Sequence, residues 1–214
     1  MRYIEKKMSN EPNTLKKHKK SKVPTPNYDN FREKADVLKA LWKEQNGLCA
    51  FCMQQIQEAK SDKMLIEHFY PEDKYLDLLL EYRNYLGVCL GGKKGLKDLY
   101  HCDKSKKNIE ISICPHDKTM MEQIKFASDG SVFTGNDQYD YEINEVLRLN
   151  LEHLRKERKA IITATQKILS KEKKITKAFL QKEINRWEKS KDGKLQSFCQ
   201  VAVSYLNKKI QQVN

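Results

Sequence analysis

The sequence predicts an α+β protein: a small strand-bearing centre held by cysteines, with helical N- and C-terminal flanks. Three observations carry this. Four of the six cysteines fall between Cys49 and Cys102. Two short runs, "DKMLIEHFYP" and "IKFASDGSVFTG", combine β-branched and aromatic residues with turn-forming ones. On either side of them, apolar residues recur at helical spacing.

In chain order, residues 1–30 are expected to be a basic extended segment, because a lysine run leads into Pro24 and Pro26, which oppose helix. Next, "FREKADVLKALWKEQNG" sets Phe31, Ala35, Leu38, Leu41 and Trp42 on one helical face and stops at Gly47. "MLIEHFYP" reads as a strand ended by Pro71, "EDKYLDLLLEYRNYL" as a helix to about Tyr82 with Asn84 in the following turn, and "GGKKGLKDL" as a glycine-lysine loop. Asp103 opens a short helix, and Asp129-Gly130 turns a hairpin. From Tyr141 onward the pattern is helical. Phe198, Val201, Ala202, Tyr205, Leu206, Ile210 and Val213 form a last apolar stripe after a break at Asp192-Gly193. This organisation gives a central domain over 31–140 and a helical region over 141–214.

The chain has 214 residues, 33% charged and 39% hydrophobic, enough apolar side chains for a core. It has no apolar run of membrane-spanning length and no signal-like start, so a cytoplasmic protein without a membrane partner is expected. The net charge of +12 is uneven. Residues 1–22 hold eight Lys/Arg against two acids and residues 151–214 sixteen against six, which leaves the middle net acidic. Basic flanks around central carboxylates suit a nucleic-acid partner, DNA or RNA, although a solvated lysine-rich surface has the same composition.

Cysteine use in such a chain argues for metal or inert thiols over disulfides. Cys49 and Cys52 form a C-x-x-C just after a glycine, the spacing of a zinc knuckle. Cys89 and Cys102 complete a thiolate set, with His101 or His116 as rival fourth ligands. Buried thiols without metal are the bland alternative, and a redox C-x-x-C lacks its βαβ surroundings. Cys199 reads as a core thiol, "CPHD" (Cys114–Asp117) as a turn, His153 as an exposed helix residue and His18 as part of the lysine run. Between the two halves of the clip stand Glu67 and His68. Adjacent on a strand, they face opposite ways unless the backbone bulges. A carboxylate beside an imidazole can hold a divalent cation and a general base in one site.

The order C-x-x-C, Glu-His on a strand, Asn before a cysteine, then Cys-Asp-x-x-Lys resembles the HNH endonucleases. The wording of "KEQNGLCAFC", "IEHFYP", "YRNYLGVC" and "HCDKSKKN" is similar to the PtuB-like HNH family of Septu-type and retron-associated phage defence, over about residues 1–155. The resemblance implies a ββα-metal nuclease core pinned by structural zinc on Cys49, Cys52, Cys89 and Cys102. By position it makes His68 the general base, Asn84 the brace that orients it, and Glu67 and Asp103 the ligands of catalytic Mg²⁺ or Mn²⁺. It leaves His101 over, near phosphate or against the clip. Lys104, Lys106 and Lys107 would contact flanking phosphates, Lys106 matching the family's Cys-x-x-x-Lys pattern. An ABC-type ATPase, PtuA, is the implied partner, joined in a retron setting by a reverse transcriptase with its RNA–DNA product. Two other readings stand beside this one: a non-catalytic zinc-stabilised nucleic-acid-binding or adaptor module, and an HNH nuclease that cuts RNA or tRNA.

Overall fold

The computed structural model describes residues 1–22, 24–93 and 95–213, so position 94 of the glycine-lysine loop lies outside the described residues. The architecture is mixed α+β, with two small antiparallel sheets among helices. Among the described residues, no helix is long and apolar enough to cross a membrane.

The N-terminal segment is not extended throughout. It carries helix α1 (Asn13–Lys19), which buries Leu15, while Met1 and Ile4 join the main core. The two prolines lie beyond this helix rather than within it, and Lys19 is drawn onto Glu11 and Glu81. Helix α2 (Lys34–Glu44) buries Val37, Leu38 and Leu41; Ala35, expected on that face, is exposed, and Val37 fills its place.

Strand β1 (Met64–His68) pairs antiparallel with β2 (Tyr85–Cys89), Met64 opposite Cys89 and His68 opposite Tyr85. Gly87 sits mid-strand because an added Cβ would lie 2.7 Å from the Met64 side chain. There the Gln45 amide docks α2 onto β2, accepting from Gly87 N and donating to Gly87 O, both at 2.7 Å. The connection 69–84 is not the expected helix but two single 3₁₀ turns, Leu76–Leu78 and Tyr82–Asn84. The carbonyls that a helix would use are taken by side chains: Leu79 O accepts from His68 and Tyr85, and Leu78 O from Asn84.

After loop 90–102 come the one-turn helix α3 (Asp103–Lys106), α4 (Lys118–Glu122), the hairpin β3 (Lys125–Phe126) with β4 (Val132–Phe133), α5 (Asp137–Tyr141) and a π-helical turn at Glu142–Val146. Three longer helices follow: α6 (Glu152–Leu169), α7 (Lys177–Glu188) and α8 (Cys199–Ile210). The main core runs from Met1 to Val201 and takes in Ile143, Leu147 and Leu154, so apolar packing crosses position 141 without a break. A second cluster, including Leu169, Leu180, Ile184, Trp187 and Leu206, holds α6, α7 and α8 together. Residues 195–198 are stitched to the cysteine knuckle, with Phe198 N donating to Met53 O and Leu195 N to Asn46 O.

Candidate metal centre and adjoining cleft

The knuckle forms because "GLCAFCM" turns back on itself. Cys49 N donates to Gln54 O, Met53 N to Cys49 O, and Met53 takes a left-handed backbone at φ +67°. Ala50 N reaches Gly87 O on β2, which brings the knuckle beside Cys89. Cys102 arrives from the far end of the loop, with Cys102 N held by Leu147 O. The four Sγ atoms lie within 4.8 Å of one another. A zinc–sulfur bond of about 2.3 Å implies sulfur–sulfur edges of about 3.8 Å in a tetrahedron. Cys49–Cys102 and Cys52–Cys89 are each separated by 3.8 Å. The four thiols therefore fit a structural zinc. Burial pushes the Cys52 and Cys102 thiols well up, while hydrogen bonds from Cys102, Cys49 and Cys52 hold Cys89 well below the usual thiol range. A bound dication would relieve the cost of keeping such a cluster ionised.

His101 lies outside the thiol set. Its Nδ1 is 3.0 Å from Leu99 O, and its Nε2 is 3.7 Å from Cys89 Sγ. Burial alone would depress this imidazole; the contact with Cys89 more than offsets it and leaves the pKa raised. His153, expected to be exposed, is half-buried against the His101 ring at 5.4 Å between centroids. His116 is in the "CPHD" turn, half-buried, and its Nε2 has no hydrogen-bond partner. Cys199 is buried in the second apolar cluster.

Beside β1 a cleft of about 390 Å³ is lined by Glu67, His68 and Asp103 together with Tyr28, Lys34, Glu72, Lys107 and Asn108. The β1 register is regular, with no bulge at Glu67-His68. The two side chains diverge, yet both are among the residues that line the cleft. His68 is buried, with Nε2 at 3.0 Å from Leu79 O and Nδ1 at 2.7 Å from Glu72 Oε1. Tyr28 and Tyr85 pack edge-on against its ring at 4.6 and 4.8 Å. Burial lowers its pKa, only partly opposed by the Leu79 carbonyl and the Glu72 carboxylate. Asn84 braces the connection that carries the Leu79 carbonyl. Its Oδ1 accepts from Tyr70 N at 2.8 Å, and its Nδ2 donates to Tyr70 O at 3.1 Å.

Glu67 and Asp103 are within hydrogen-bonding reach of one another, and Lys106 Nζ lies 2.7 Å from Glu67 Oε1. The ammonium is poorly aligned, so Glu67 Oε1 is buried without a proper donor. Burial, then Asp103, push the Glu67 carboxyl up to about 9 against the pull of Lys106. Lys106 thus opposes the effect of burial and of Asp103 on Glu67 without cancelling it. Two adjacent carboxyls, one with an orphaned oxygen, suit a hard divalent cation, for which Lys106 is a competing counter-ion.

Of the three lysines expected on phosphate, Lys106 is fully buried and cannot contact an external strand in this arrangement; its length and the Glu67 carboxyl draw it inward. Lys104 faces the Gly92 carbonyl and the Tyr100 ring, and Lys107 lines the cleft. Sequence reasoning missed Tyr28, Lys34 and Glu72. Glu72 carries one signal, its i+4 spacing from His68, whereas Tyr28 and Lys34 reach the site only through tertiary packing.

No family model matches the chain. Part of it is similar to the Septu protein PtuB of Bacillus thuringiensis. The two are 39% identical over 61 residues, which is 28% of this chain and 23% of the relative. The likeness thus spans less than a quarter of the relative's length.

Proposed function

We propose that this protein is a metal-dependent HNH endonuclease, the hydrolytic subunit of a Septu-type defence system acting with an ABC-type ATPase. The observation that carries the reading is one cleft in which a buried histidine and two adjacent carboxyls meet beside a four-thiol centre. The partial likeness to PtuB supports the Septu setting and the ATPase partner. The strand pair followed by α3 is consistent with a ββα-metal core.

The chemistry follows from the hydrogen bonds. Leu79 O can only accept, so His68 Nε2 carries a proton. The Glu72 carboxylate also only accepts, so Nδ1 donates to it while that contact lasts. Nδ1 offers a lone pair to the attacking water once Glu72 has withdrawn and the proton has passed to that carboxylate or to solvent. Asn84 keeps the turn, and with it the Leu79 carbonyl, in register with the imidazole. Glu67 and Asp103 would hold Mg²⁺ or Mn²⁺, which supplies charge stabilisation to the scissile phosphate when bound. Lys34 and Lys107, on the cleft walls, offer cations to the flanking phosphates.

The test is cleavage of plasmid DNA and of total RNA by the chain purified with its operon partners, wild type against His68→Ala. Loss of cleavage with zinc content and assembly intact supports the nuclease and names its substrate. Equal activity removes His68 as base and favours the non-catalytic module, for which the Glu67–Lys106 and His68–Glu72 pairs would be a structural network.

A further inference from the structure

The imidazole that would serve as base has no nitrogen free in this structure. Nε2 is committed to Leu79 O, a carbonyl that also accepts from the Tyr85 hydroxyl. Nδ1 faces Glu72 Oε1 at 2.7 Å, a hydrogen-bond distance at which the nitrogen donates to the carboxylate and is closed to a water. The ring itself is fixed on both sides by Tyr28 and Tyr85 and does not need Glu72 to orient it. Glu72, in contrast, is half exposed in the cleft, follows Pro71, and lies outside any helix or strand.

We propose that the Glu72 carboxylate is a removable cap on His68 Nδ1, occupying the place of the attacking water until a polyanionic strand enters the cleft. Resting on the reading of His68 as base, this gives the site a closed state built into its own chain. Three features make the cap removable. The Glu72 side of the pair is half exposed, so water is at hand to take over the carboxylate as it leaves the buried ring. Lys34 and Lys107 attract a phosphodiester strand to the walls beside it. The arriving phosphates carry the same sign as Glu72 and disfavour its position over the ring. Uncapped, Nδ1 faces the solvent-filled cleft.

The experiment uses the full chain as Glu72→Ala, Glu72→Gln and wild type, each checked for zinc content and melting temperature. Diethyl pyrocarbonate acylates accessible imidazole nitrogen, and peptide mass spectrometry reads the rate at His68. The expected result is acylation at least fivefold faster in Glu72→Ala. Glu72→Gln, whose amide can still cover Nδ1, should stay within about twofold of wild type. With operon partners present, Glu72→Ala should cleave nucleic acid several-fold faster at limiting substrate. Unchanged acylation in Glu72→Ala overturns the cap, and slower cleavage by that variant overturns its inhibitory role. Because acylation needs no catalysis, the cap is decided even where His68→Ala shows that the nuclease reading fails.

Discussion

Replacing Cys102 by serine tests the metal centre most directly. The hydroxyl keeps the size of the thiol and loses the soft ligand, so packing changes little while the clip opens. Structural zinc contributes about 10–16 kcal/mol in small thiolate sites, and one ligand of four accounts for about 3–4 kcal/mol of that. For a chain of this size each kcal/mol moves the melting temperature by about 2–4 °C, so the midpoint should fall by about 6–16 °C. Native mass spectrometry should count one zinc in wild type and in Cys199→Ser, and less than one in Cys102→Ser. A strong chelator should lower the wild-type midpoint towards that of the variant. Full zinc occupancy in Cys102→Ser, with loss in His101→Phe instead, would refute the four-thiol assignment and restore His101 as fourth ligand. A wild-type midpoint unmoved by chelation would refute the clip altogether.

Other consequences follow from the same geometry. Asn84→Ala leaves Tyr70 N and Leu78 O without their side-chain partners; it should cost about 1–3 kcal/mol by urea unfolding and slow cleavage without moving zinc content. Lys107→Ala should lower the salt slope of nucleic-acid binding by about 1, while Lys104→Ala, which faces Gly92 and Tyr100, should leave it unchanged; equal slopes would disconnect the cleft from the bound strand. Burial and then the Lys6 charge depress His116 from 6.5 to about 4. The unfolded chain therefore binds the proton more tightly, and the His116 contribution is present above about pH 6.5 and lost as pH falls towards 4. Between pH 7 and 5 wild type should lose about 2 kcal/mol more than His116→Gln, and equal losses in paired urea titrations would refute this.

What was legible in the sequence was whatever local spacing decides. The C-x-x-C turn, the helical face of α2, the strand at "MLIEH", the hairpin and the last apolar stripe all follow from chain-local periodicity or turn chemistry. The failures are places where tertiary contacts override it. "YLDLLLEY" has helical spacing, yet its carbonyls hold His68, Tyr85 and Asn84, and it forms 3₁₀ turns. Lys106 reads as a surface charge and is buried because Glu67 and Asp103 lie under it. "YLGVC" forms β2 although a mid-strand glycine weakens its local pattern, and that glycine is what lets Gln45 dock. Tyr28 and Lys34 carry no local signal that ties them to His68, so only folding places them at the cleft.

The three consecutive residues His101, Cys102 and Asp103 bear most directly on how the metal centre and the cleft depend on one another. One strand or helix cannot aim three neighbours at three targets, yet His101 faces Cys89, Cys102 joins the thiols, and Asp103 reaches Glu67. The backbone solves this at Cys102, which takes φ +54°, ψ −139° immediately before α3. Such a conformation in a residue with a Cβ costs about 1–3 kcal/mol and persists only where its surroundings over-determine it. Here the constraints are the thiol cluster and the hydrogen bond from Cys102 N to Leu147 O. The clip therefore acts on the cleft as well as on stability: it holds the kink that turns Asp103 towards Glu67. Loss of metal should displace Asp103 before it unfolds the C-terminal helices, because α6, α7 and α8 are held by a second apolar cluster, besides the main core, that contains none of the four clip cysteines.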